Sequence, residues 1–96
     1  RLCADCHGAQ GEGRPGAYPA LAGNRAVVLA DPLNVLRAIL GGGFAPTTAG
    51  NPRPHGMPPY ASVLDDAEVA AVASYIRSAW GNAARPVGEL EVLRLR

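Results

Sequence analysis

Cys3-Ala4-Asp5-Cys6-His7 is a C-x-x-C-H pentapeptide, and the fold must be built around whatever its two thiols and imidazole hold. Thiols three positions apart can add to the two vinyl groups of one haem, with the adjacent imidazole falling under the iron as an axial ligand; this is the spacing of c-type haem attachment. Three other uses compete. A structural zinc wants four Cys or His ligands; Cys3 and Cys6 are the two cysteines, and His55 is the one further histidine. A thioredoxin-like redox pair belongs in a βαβ setting, and no parallel-strand pattern lies nearby. A plain disulfide remains open and leaves His7 without a role.

The rest of the composition suits a covalent cofactor. Ninety-six residues make one domain, at the lower end of what buries an adequate core alone. With 12 glycines and 9 prolines, much of the chain is loop and the side-chain core is thin. Aromatic residues are 5% of the chain although 48% is hydrophobic, so the large flat apolar group is expected to be a cofactor. Such a group also staples a small scaffold.

Charge excludes some partners. The formal net charge is +1, every basic residue is Arg, and none are clustered, so there is no nucleic-acid footprint. Two ionised haem propionates bring the balance to about −1, and long-range steering of a partner is weak. No apolar run approaches membrane-spanning length, and no signal peptide is present.

Along the chain, residues 8–30 read as loop, with Val27, Val28 and Leu29 either briefly helical or tucked inward. Asp31-Pro32 starts a helix over 32–40, with Asp as N-cap and Pro at N1. Leu33, Leu36, Ile39 and Leu40 give it an apolar face, and the glycines at 41–43 stop it. Residues 41–63 are a second long loop, a length that points to function. Asp65 and Glu68 outline a capping box for a helix over 65–80, whose buried stripe is Val69, Val72, Ala73, Ile76 and Trp80. Gly81-Asn82 ends it. The tail from Ala83 starts as a linker, and residues 89–96 form a helical turn or two or a strand, with leucines packed back on the domain. No β-sheet is expected. The chain divides into a domain over 1–82 and a tail over 83–96.

A six-coordinate haem needs a second axial ligand opposite His7. Met57, the single methionine, lies in the 41–63 loop. Pro58 biases it toward extended backbone, which helps hold its thioether outward. His55 is the rival distal ligand.

These segments resemble a class I c-type cytochrome domain. The resemblance rests on Cys3-Ala4-Asp5-Cys6-His7-Gly8, Tyr18-Pro19-Ala20-Leu21-Ala22-Gly23-Asn24, Met57-Pro58 and the helix after Asp65. The stretch from Ser74 to Asn82 is further similar to the last haem domain of multihaem cytochrome subunits of membrane-bound bacterial alcohol and sugar-acid dehydrogenases. The resemblance implies an all-α fold of short helices and long loops around one covalent haem c. It implies thioethers at Cys3 and Cys6, His7 and Met57 as iron ligands, and a Pro19 carbonyl turned toward the His7 ring. Leu21, Leu36, Ile39, Val72 and Ile76 become candidates for the haem wall or for core packing alone, and Tyr60 or Asn24 for a propionate bond or a surface role.

The function implied is electron transfer rather than catalysis, from a periplasmic dehydrogenase donor to an oxidase or quinone-linked acceptor. The expected location is the periplasm or the outer face of the inner membrane, with membrane contact only through a parent complex. A haem sensor or peroxidase-like enzyme with a displaceable distal ligand is the alternative. The family's helix before the haem motif is missing, so the chain is expected to be part of a longer polypeptide; its lysine docking ring is missing too, so that docking mode is not carried over.

Overall fold

The computed structural model describes residues 2–14, 18–44 and 56–96. The architecture is mostly helical, as expected: α1 (Ala4–His7), α2 (Arg25–Val28), α3 (Leu33–Gly41), β1 (Gly43–Phe44), β2 (Gly56–Met57), α4 (Asp66–Ser78) and α5 (Glu89–Leu93).

α4 is the backbone of the fold. The Asp65 carboxylate accepts from the Glu68 N–H at 2.8 Å while the Glu68 carboxylate accepts from the Asp65 N–H at 3.0 Å, the expected capping box. Its apolar stripe meets that of α3, so Leu36, Ile39 and Leu40 share one buried cluster with Val69, Ala70, Ala73 and Ile76. The small side chains at 70 and 73 let the helices close on each other. α3 starts one residue after the expected position, with Leu33 N–H donating to the Asp31 carboxylate at 3.0 Å. α4 ends at Ser78, before the expected boundary at 80. Trp80 takes a positive φ of 55° there, and its indole stands edge-on to Tyr75 with centroids 5.5 Å apart.

The structure settles one open reading as a helix and departs from two others. The first loop contains α2, capped by Asn24, whose side-chain oxygen accepts from Ala26 N–H. The second contains a two-residue antiparallel ribbon, Gly43 opposite Met57 and Phe44 opposite Gly56, where no strand pairing was expected. Elements this short carry no periodicity to detect. In the tail, Val87 and, on α5, Val92 are buried against the core, and Leu95 packs against it as expected, whereas Leu90 and Leu93 stay more than half exposed, contrary to the expected burial of the leucines. A bidentate Arg85–Glu91 pair staples the approach to α5.

Arg77 is fully buried and extends the α4 stripe, four residues after Ala73 and eight after Val69. Its guanidinium donates to the Val27 and Leu29 carbonyls at 3.2 and 2.7 Å and to the Arg85 carbonyl at 3.0 Å. One cation thereby ties α2, α4 and the tail together and satisfies carbonyls that the end of α2 leaves open. Burial lowers the Arg77 pKa, yet guanidinium stays charged in proteins.

Candidate cofactor site

α1 is a single helical turn, closed by His7 N–H donating to the Cys3 carbonyl at 2.8 Å. That turn gathers Cys3, Cys6 and His7 at one cavity. Both cysteines are free thiols of intermediate exposure, and His7 is buried. Desolvation raises the Cys3 pKa, so this side chain is a neutral thiol near pH 7.

His7 is oriented from behind. Its Nδ1 lies 2.7 Å from the Pro19 carbonyl oxygen. A carbonyl only accepts, so Nδ1 carries the proton and Nε2 keeps its lone pair. The intervening loop folds tightly to bring this about. Gly13 N–H donates to the His7 carbonyl at 2.7 Å, Arg14 and Tyr18 exchange two backbone bonds, and Leu21 and Ala22 both donate to the Gly11 carbonyl. Gly13 has φ +68°, and a Cβ there would meet the Tyr18–Ala20 backbone within 2.7 Å. Only glycine permits that approach.

Met57 reaches the cavity from the opposite side of the sequence. The ribbon fixes its register against Gly43, and Tyr60 and Ala61 then donate to the Ile39 and Leu40 carbonyls at 2.9 and 3.2 Å, closing the end of α3. Gly42 makes this possible: φ is 65° and ψ −157°, and a Cβ would lie 2.2 Å from the Met57 carbonyl oxygen. The methionine segment therefore lies directly on glycine backbone.

The cavity has two lobes of about 260 and 190 Å³, together the size of a cofactor site. Cys3, His7, Pro19, Ala38 and Met57 border both. Cys6, Tyr18 and Tyr60 line the first; Leu21, Val27, Ile39 and Ile76 line the second. Of the candidate wall residues, Leu36 packs in the core and the half-buried Val72 packs against it. Tyr60 and Asn24 border different lobes. Burial pushes the Tyr60 phenol up, which keeps it a neutral donor, while both polar atoms of Asn24 already bond backbone at Ala20 and Ala26. His55 lies outside the described residues.

Two thiols, one buried imidazole with a free nitrogen, a thioether and apolar walls fit a flat covalent haem. Among the described residues no three His, Cys, Asp or Glu side chains cluster for a metal ion. The sequence reading named Cys3, Cys6, His7, Met57 and Pro19, and the structure brings all five to one cavity. That reading named Gly42 and Asn82 only as helix stops and gave Arg77 no role, although a charge in register with a buried stripe is a legible signal.

The cytochrome c family model matches residues 1–80. The cytochrome c subunit of quinone alcohol dehydrogenase from Gluconobacter oxydans is 36% identical over 95 residues, covering 98% of this chain and 20% of that protein. The cytochrome c subunit of gluconate 2-dehydrogenase from Pantoea cypripedii is 36% identical over 89 residues, covering 86% of this chain and 19% of its own length. Cytochrome c-552 of Thermus thermophilus is 35% identical over 89 residues, covering 90% of this chain and 68% of its own. The chain thus spans about a fifth of the length of the dehydrogenase subunits it matches.

Proposed function

The chain belongs to the cytochrome c family, and we propose that it transfers electrons through one covalently attached haem c, with His7 and Met57 as the axial ligands. The supporting observation is that Cys3, Cys6, His7 and Met57 border one apolar cavity while Pro19 holds His7 Nδ1. Haem c supplies the one-electron chemistry; the chain supplies attachment, orientation and burial.

Cys3 and Cys6 would carry the two thioethers. His7 would hold the metal through Nε2, with the Pro19 carbonyl fixing its tautomer and raising its basicity. Met57 would supply the second protein ligand and leave no position for a substrate, and such a His/Met pair would set a higher potential than a bis-His pair. Leu21, Ile39 and Ile76 keep water from one side of the site. The protein acts as a carrier rather than an enzyme.

The names of the relatives, cytochrome c subunits of dehydrogenases, support a dehydrogenase donor, and the proposed acceptor is a respiratory one, an oxidase or a quinone-linked complex. The carrier operates in the periplasm or at the outer face of the inner membrane. Among the described residues no helix is long and apolar enough to cross a membrane, and membrane contact is assigned to the parent complex.

The test is to mature the chain with haem c in a bacterial periplasm. One haem per chain by alkaline-pyridine spectrum, with a methionine-to-ferric-iron charge-transfer band, is expected. A high-spin ferric spectrum, or haem removable by acid–organic extraction, would overturn the proposal.

A further inference from the structure

The Pro19 carbonyl is only as well placed as the strap that carries it, residues 18–23, and that strap is clamped from sixty positions away. Asn82 is buried, and every polar atom of its amide is used. Nδ2 donates to the Leu21 carbonyl at 3.1 Å and to the Ile76 carbonyl at 2.8 Å, while Oδ1 accepts from Gly23 N–H at 2.8 Å. Leu21 and Gly23 bracket the end of the strap, and Ile76 belongs to α4. One side chain therefore bolts the strap to the helix that walls the cavity.

We propose that Asn82 is a positioning residue for His7: by locking residues 21–23 onto α4 it holds the Pro19 carbonyl against Nδ1 and so sets the reduction potential. The inference rests on the axial role of His7 proposed above. Backbone bonds to the residue 11–14 loop and the Asn24 amide bond to the Ala20 carbonyl also anchor the strap, within its own local loop. The Asn82 side chain ties the strap to α4. A carbonyl pressed on Nδ1–H makes the imidazole a stronger electron donor, which favours the oxidised metal. Releasing the strap weakens that bond and raises the potential.

The experiment compares haem-loaded wild type with Asn82→Ala, a neutral change that adds no charge to the site. Two quantities are read: the midpoint potential, and the solvent exchange rate of the His7 Nδ1 proton by NMR in the reduced state. Ser74→Ala is the control. It removes two hydrogen bonds between α4 and Val87 and leaves the strap alone. Asn82→Ala is expected to raise the potential and to speed Nδ1 proton exchange about tenfold, the effect of losing one or two hydrogen bonds. Ser74→Ala is expected to lower stability with both readouts unchanged. An Asn82→Ala protein that loses stability but keeps the wild-type potential and exchange rate overturns the inference. If Asn82→Ala fails to accumulate, Asn82→Gln displaces the strap with the amide retained, and the same two readouts decide. A wild-type protein whose haem lacks a His7 Nδ1 proton signal overturns the axial role of His7 itself, a result distinct from unchanged readouts in the variants.

Discussion

Gly42→Ala tests how Met57 is delivered to the site. Gly42 sits at φ 65°, ψ −157°, a region in which a Cβ is strained by about 1–3 kcal/mol. The new methyl would also lie 2.2 Å from the Met57 carbonyl oxygen, 2.8 Å from Pro59 N and 2.9 Å from the Pro58 carbonyl carbon. All three are backbone atoms, so no rotamer change relieves the contact. Ordinary contact starts at 3.4 Å, and the Met57 strand must retreat by about 1 Å. Overpacking of that kind adds about 1–3 kcal/mol. The expected loss is about 2–6 kcal/mol, a large part of the total stability of a small domain. Urea unfolding of the haem-loaded protein measures the loss, and the methionine-to-ferric-iron band should weaken in parallel. Gly41→Ala is the matched control: it lies in α3, where a methyl group would have nothing within 4 Å, and should stabilise by about 0.4–1 kcal/mol. A Gly42→Ala protein within about 0.5 kcal/mol of wild type, with the band intact, would refute the reasoning.

Three further outcomes are expected. Arg77→Met leaves the Val27, Leu29 and Arg85 carbonyls without their donor and should cost about 2–4 kcal/mol, measured by chemical denaturation; an unchanged midpoint would contradict the stapling role. Cys6→Ala should give haem-poor, largely unfolded protein because cofactor binding is coupled to folding, and a cooperative thermal transition in haem-free chains would argue otherwise. The Arg85 hydrogen bonds hold Glu91 down from 4.5 to about 2. Its contribution to stability is therefore present above about pH 4.5 and lost as pH falls toward 2. The effect should be small for a solvent-facing pair, and Glu91→Gln should remove that part of the acid dependence in a stability–pH series.

What the sequence revealed and what it concealed follow from the range of the interactions. The C-x-x-C-H turn, the Asp65/Glu68 capping box and the stripes of α3 and α4 are local, set by spacings of three and four residues, and could be read directly. α2, capped locally by Asn24, could be read only as a choice between a brief helix and a tucked loop, and the Gly43–Met57 ribbon is too short for any period to show. The tail pattern Glu89-Leu90-Glu91-Val92-Leu93 offers leucines for burial, yet Val87 and Val92 face α4. Which alternate residues turn inward depends on where the linker enters, and local spacing does not encode that. Asn82 bonds partners 59 and 61 positions away, and Gly42 serves a methionine fifteen residues on. Such roles belong to the chain's return path rather than to any motif.

Carbon monoxide binding to the reduced, haem-loaded protein tests the proposal that His7 and Met57 saturate the metal and that the protein only passes electrons. No spectral change is expected for wild type, and stoichiometric binding with a lowered midpoint potential is expected for Met57→Ala. Carbon monoxide binding to wild type, or a Met57→Ala protein that still excludes it, would rule this ligation out.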